Sequence, residues 1–242
     1  MKTSKLILFS LLLMAMISSC LNTTRVSPSR NVTTLNKSIS DYKGLEISSA
    51  FTVDVQYSPT DESIEIEANE NLHQYIEVEK VNDLLRIRIQ NGVNISGNST
   101  LRAHIITNDV LDYFSASGAS IITLTDPLAA DEVTINLSGA SNFIGSVTSN
   151  SINAYIEGAS NANLDGSTES LFANVSGAST IRDYDMVVND ATIQLSGASQ
   201  GSLTINGAID VTASGASILR YKGTGSITDI NVSGASQVIK VN

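Results

Sequence analysis

The side chains of this chain that could do chemistry fall into three groups. The first is serine. Ser-Gly-Ala-Ser recurs, and the serine before its glycine stands at Ser117, Ser138, Ser176, Ser196, Ser214 and Ser233, with Glu157 in the remaining copy. Nucleophilic catalysis needs one hydroxyl activated by an adjacent base, not a row of equivalent hydroxyls at a fixed period. The second group is carboxylate: Asp131 with Glu132, Asp183 with Asp185 beside Arg182, and Asp190. Paired carboxylates hydrolyse glycosides, or hold Ca²⁺ against a uronate, when they converge on one point. Counted back from the next glycine, Asp131 and Glu132 stand eight and seven places away and Asp190 seven, while Asn150-Ser151 and Glu169-Ser170 fill those places between them. These acids mark a polar corner, leaving Asp183 and Asp185 as a lone pair that could share a face. The third group is histidine. His73 and His104 lie in different segments without a ligand-type partner, so no metal site, catalytic set or cofactor site is expected.

The elements that position these residues follow from the repeat. The glycines fall at Gly118, Gly139, Gly158, Gly177, Gly197, Gly215 and Gly234, at intervals of 21, 19, 19, 20, 18 and 19 residues. Two residues before them stand Ala116, Leu137, Ile156, Val175, Leu195, Ala213 and Val232; four before stand Phe114, Ile135, Ala154, Ala173, Ile193, Val211 and Ile230. Ser115, Asn136, Tyr155, Asn174, Gln194, Thr212 and Asn231 come between. Alternation with period two is a strand with one buried face. A looser apolar set follows each glycine by four residues, from Ile122 and Phe143 to Leu219 and Val238. One such unit cannot bury its own apolar face. If each is a turn of a coil, stacked at about 4.8 Å, the inward residues form columns. The expected fold is therefore all-β, a parallel β-helix with turns of about 19 residues, against an antiparallel sandwich of similar hairpins. The seven glycines become structural corners where a Cβ is forbidden, and the small Ala and Ser stack above their copies in the next turn.

The segment 37–112 is less regular. Leu45-Glu46-Ile47-Ser48-Ser49-Ala50 fits the repeat if Ser49 takes the glycine's place, and alternation continues in Phe51–Tyr57, Ile64–Ala68 and Leu84–Ile89. We expect it to form irregular first turns of the same coil, with Asn69–Val81 as an excursion, ahead of the repeats in 113–242. Residues 1–19 carry Lys2, Lys5 and an apolar run from Leu6 to Ile17, too short to span a bilayer. Ile17-Ser18-Ser19-Cys20 then resembles the lipobox of bacterial lipoproteins, which makes Cys20, the chain's single cysteine, the expected lipidation site. Residues 20–36, rich in Ser, Thr and Asn, are expected to be a lipidated, flexible tether.

Without Lys2 and Lys5 the chain holds 12 basic and 24 acidic residues, which disfavours nucleic acid and leaves membrane attachment to the N-terminal lipid. Aromatics make up 5 % and tryptophan is absent, which weighs against a sugar-stacking platform. The Leu45–Val55 strand, Asn71–Val78 and the repeated Ser-Gly-Ala-Ser together resemble the GIN domain family of auto-transporter adhesin head domains, common in Bacteroidota lipoproteins. The resemblance covers about residues 37–240. It implies a right-handed β-helix and supplies no catalytic motif. The expected function is a non-enzymatic, lipid-anchored envelope protein, an adhesin or scaffold that binds a glycan, an envelope protein or a copy of itself. The alternative is a lyase or hydrolase of acidic polysaccharide. Leu21-Asn22-Thr23-Thr24 lacks an acidic export run, so an outer-membrane position facing the periplasm is expected.

Overall fold

The computed structural model describes residues 24–242. In chain order the strands are β1 (Thr24–Val26), β2 (Val32–Lys37), β3 (Gly44–Ile47), β4 (Thr52–Tyr57), β5 (Ser63–Asn69), β6 (Ile76–Val81), β7 (Leu84–Ile89), β8 (Val93–Ile95), β9 (Leu101–Thr107), β10 (Tyr113–Ala116) and β11 (Ile121–Leu124). They continue as β12 (Leu128–Leu137), β13 (Asn142–Ile156), β14 (Asn161–Val175), β15 (Thr180–Leu195), β16 (Gln200–Ile205), β17 (Ala208–Ala213), β18 (Ile218–Lys222), β19 (Ser226–Val232) and β20 (Gln237–Lys240). A six-residue 3₁₀ segment, Glu70–Tyr75, joins β5 to β6.

From β10 onward every pairing with a later strand is parallel, so the chain winds as a β-solenoid of about seven stacked turns. Three ladders run along it. Before the corner, Leu45, Phe114, Ile135, Ala154, Ala173, Ile193, Val211 and Ile230 pair in register from turn to turn. After the corner, Val53, Ile122, Phe143, Ala162, Ile181, Gly201, Leu219 and Val238 do the same. A third ladder links Leu128–Ala130, Val147–Ser149, Gly166–Thr168 and Met186–Val188. Up to the turn of Val211 and Leu219 the inward columns are sealed from water, and the Phe114 and Phe143 rings meet inside with centroids 5.1 Å apart. Each such side chain contributes on the order of 1.5–3 kcal/mol by burial.

All seven corner glycines have positive φ, from 61° to 79°. Ser49, at φ 68°, takes the glycine's place one turn below Gly118, as the repeat requires. The corner amides form their own ladder, with Ala159, Ala178, Ala198, Ala216 and Ala235 donating to the glycine carbonyl of the turn below at 2.7–2.8 Å. At the base the direction inverts: Ala50 N donates upward to Gly118 O at 2.9 Å. Correspondingly Ala50 and Ala119 are both left-handed, at 61° and 67°, whereas the alanines of the later corners are not among the left-handed residues.

Two expectations need correction. Residues 24–36 are not a flexible tether: β1 pairs in parallel with β8, and β2 pairs antiparallel with β5. Polar, mostly exposed edge strands such as Val32–Lys37 leave little periodic signal. The segment 37–112 is also more than irregular coil. β3 with β7 and β4 with β9 do extend the parallel ladders downward. However, β5 lies antiparallel between β2 and β9, and the excursion returns as β6, antiparallel on β7. This region closes one end of the solenoid. Its charges pair on the outside: Arg86 contacts Glu46 at 2.9 Å, Arg88 contacts Glu77 at 2.7 Å and Arg102 contacts Glu67 at 3.4 Å. The other end has no such cover among the described residues. β19 is exposed throughout, and Ile230 is 51 % exposed although Ile193, in the same column, is fully buried.

Candidate functional site

The Ser-Gly-Ala-Ser corner splits its two serines between environments. The serine that follows Gly-Ala is fully buried at 120, 141, 160, 179, 199 and 217. Its hydroxyl oxygen accepts the backbone N–H of the equivalent serine one turn below: Ser120 N to Ser141, Ser141 N to Ser160 and Ser160 N to Ser179, each at 3.2 Å. Ser120 Oγ also donates to Ser117 O at 2.8 Å, within its own corner. The column breaks at Ser199, whose buried hydroxyl has no partner. The turns on either side of it are 20 and 18 residues long, and the register shifts between Arg182 and Val187. The extra residue is taken up as a bulge between Arg182 and Met186, away from the corner, and Ser199 keeps its register with Ser179, whose carbonyl accepts the Gln200 N–H at 3.0 Å. These serines bond backbone, and no base faces them in the hydrogen bonds they make.

The carboxylates lie along the polar edge of the third ladder. Register places Asp131, Asn150, Glu169 and Asn189 one above another, so each acid is separated from the next by an amide. Asn150 Nδ2 donates to Asp131 Oδ1, and Asn153 Nδ2 donates to Glu132 Oε1 at 2.8 Å. Asp190 Oδ1 accepts the Ala208 N–H at 2.7 Å. Asp183 and Asp185 share the bulge, but Asp183 accepts its neighbour's N–H at 3.1 Å while Arg182 turns away to Asn163 Oδ1 at 2.8 Å. Asp131, Glu132, Asp183 and Asp190 are thus each engaged singly, and Glu169 stands between Asn150 and Asn189 in the ladder. Beside them runs an open groove of about 660 Å³, lined by Thr148, Ser167, Asn150, Glu169 and Asn206 among others.

The histidines do not meet. His73, in the 3₁₀ segment, bonds Thr33 through Nε2 at 3.0 Å, and His104 stands on the outside of β9. Among the described residues no group of three or more His, Cys, Asp or Glu is arranged to hold a metal ion. Burial pushes the Tyr42 hydroxyl up to about 12 and raises Tyr57 as well. Tyr42 lines a cleft of about 560 Å³ together with Lys43, Asp109, Asp112, Asp131 and Glu132, and Tyr57 lines a smaller one beside Thr107. Cys20 lies outside the described residues, and no described helix is long and apolar enough to cross a membrane.

What the alternation did not single out is an outward aromatic pair. On the outer surface of the ladder before the corner, Tyr155 and Phe172 stand with ring centroids 5.6 Å apart. The signal was present, since Tyr155 stands three places before Gly158 and Phe172 five before Gly177, both outward positions in adjacent turns.

No curated protein matches the chain in sequence. Among solved structures it resembles a putative adhesin from Bacteroides fragilis, with a TM-score of 0.83 at 17 % identity, covering 89 % of this chain and all of that one. A putative adhesin from Parabacteroides merdae gives 0.72 at 19 % identity, covering 90 % and 99 % of the two chains. A putative lipid binding protein from Parabacteroides distasonis gives 0.75 at 16 % identity, covering 90 % and 100 %. At such identities the likeness is one of fold. The family model described as "Putative auto-transporter adhesin, head GIN domain" matches residues 41–225, and on that match, with its stacked Ser-Gly-Ala-Ser corners, the chain belongs to the GIN domain family.

Proposed function

We propose that the protein is a non-enzymatic binding module of the cell envelope, an adhesin anchored through lipid on Cys20, which meets its partners along the outer faces of the solenoid. The observation that carries this reading is the ladder of outward amides and hydroxyls repeated from turn to turn, in which Asp131, Glu132 and Asp190 are already engaged. Regularly spaced polar groups on a rigid face suit many weak contacts with a repetitive ligand. Acid–base hydrolysis would instead need two carboxylates held free about one bond. The membership of an adhesin-head family supports the same class.

Anchoring is tested by fractionating cells that express the full chain or Cys20→Ala. The variant is expected in the soluble fraction, and unchanged detergent partitioning would refute the lipid anchor. Intact cells treated with external protease should leave the chain undigested if it faces the periplasm. Incubation of the purified chain with polygalacturonate tests the chemistry, since any release of unsaturated or reducing uronate would sink the non-enzymatic reading.

A further inference from the structure

Two rings and two amides form a square on the outer surface of the ladder before the corner. Asn153 and Tyr155 belong to β13, Phe172 and Asn174 to β14, and the register pairs Asn153 with Phe172 and Tyr155 with Asn174. The rings therefore occupy one diagonal and the amides the other. The ring planes are tilted at 53°, and Tyr155 is 41 % exposed. Thr134 and Asn136 flank the square in the turn below, Thr192 and Gln194 in the turn above.

We propose that this square binds a neutral glycan, with a pyranose ring laid on the exposed face of Tyr155 against the tilted ring of Phe172, and hydroxyls along the glycan bonded by Asn136, Asn153, Asn174 and Gln194. The proposal rests on the binding-module reading and names its ligand. Three features carry it. The core does not need these rings, because the inward neighbours Ala154, Ile156, Leu171 and Ala173 already fill the columns beneath them. An aromatic face takes the C–H side of a sugar, while each neighbouring amide offers both a donor group and an acceptor, matching hydroxyls that do both. Asn153 is already held by its bond to Glu132 at 2.8 Å, which fixes its side chain and leaves its carbonyl oxygen facing outward chemistry as an acceptor.

Charge narrows the class. The chain carries a net −10, and Glu132, Glu157 and Asp210 stand on or beside the same ladder, so an acidic glycan would be repelled. A protein partner fits less well, because a stable interface needs about 800 Å² from each side around a buried cluster of anchors. Here two rings sit in an otherwise polar field. The face also continues along the axis at steps of about 4.8 Å, so a chain can run past the rings in either direction.

Native affinity electrophoresis of the full chain in detergent tests this, with β-glucan, mannan or galactan in the gel and polygalacturonate as the acidic comparison. Retardation is expected with at least one neutral polymer and not with polygalacturonate. Tyr155→Ala and Phe172→Ala should each weaken it about tenfold, the size of one lost stacking contact. Tyr155→Phe should retain it, and Asn98→Ala, in the exposed segment between β8 and β9, should leave it unchanged. Melting curves of Tyr155→Phe and Asn98→Ala should coincide with the parent, while Tyr155→Ala and Phe172→Ala, which lose the ring–ring contact, should melt only a few degrees lower and remain folded in the assay. Retardation that survives Tyr155→Ala, that favours polygalacturonate, or that is absent with all three neutral polymers overturns the proposal. In that last case, capture of an envelope protein by the same chain would leave the binding-module reading standing, and failure of both would remove it as well.

Discussion

Gly197→Ala places a single methyl group between two closely stacked turns. Gly197 has φ +74°, a conformation that costs an L-residue about 1–2 kcal/mol. The added Cβ would also stand 2.6 Å from the Gly177 carbonyl oxygen and 3.1 Å from its nitrogen, one turn below. That carbonyl accepts the Ala198 N–H at 2.7 Å, so the turns can separate only by weakening the bond, a further loss of about 1 kcal/mol. The whole effect is then about 3 kcal/mol, which for a domain of this size lowers the melting temperature by roughly 6–12 °C. Gly97→Ala is the matched control, because Gly97 has φ +105° but a Cβ there meets nothing within 4 Å. It carries strain without collision. Denaturant titration followed by far-UV circular dichroism measures both variants against the parent. Equal midpoints for Gly197→Ala and Gly97→Ala would show that the corners tolerate a methyl between turns, and the close-stacked corner would be wrong.

Three further outcomes follow from the same stack. Ser199→Ala should be neutral or slightly stabilising, because its buried hydroxyl has no partner, whereas Ser160→Ala strands the Ser141 N–H and should cost about 1–2 kcal/mol; paired chemical melts decide it. Ile193→Ala should cost about 2–5 kcal/mol and Ile230→Ala under about 1 kcal/mol, although both occupy one column, because only the first is fully enclosed. Stability should also fall in strong base. Tyr42 keeps its proton in the folded chain up to about pH 12 but loses it near 10 when unfolded, so its contribution is complete below pH 10 and drains away by about 1.4 kcal/mol per pH unit between 10 and 12. Tyr42→Phe should make that decline shallower in a pH series of melts, with buried Tyr57 carrying the remainder.

The columns were legible in the sequence because burial and period coincide. Phe114, Ile135 and Ala154 stand four places before their glycines and lie directly above one another. Ser49 could be placed as a corner for the same reason, since Leu45 and Ile47 keep the spacing around it. The capping region was not legible in that way. Alternation in Ile64–Ala68 marks a strand but carries no information on whether its neighbour runs with it or against it, and β5 turns out antiparallel to both β2 and β9. Strand β2 was hidden by its composition, because an exposed edge needs no apolar face. The 20- and 18-residue intervals around Gly197 announce an irregular turn, yet interval alone does not say where the bulge falls, and it lies between Arg182 and Val187. The aromatic square required two turns to be laid side by side, a step beyond reading each strand singly.

The two ends of the solenoid give the molecule a direction. One is closed by strands that run against the coil, so no further turn can be laid on it in register. At the other, β19 and β20 are paired on one side only among the described residues and present an open edge. Length is therefore a quantised property of this architecture. A nineteen-residue unit inserted between Gly158 and Gly177 would slide into existing registers on both sides, lengthening the outer ladders by one rung and leaving the cap untouched. The same unit inserted before Leu45 would have to dismantle the cap. The fold can thus grow or shorten by whole turns in its middle, which lets the reach of its binding face change without any change in the chemistry of a rung.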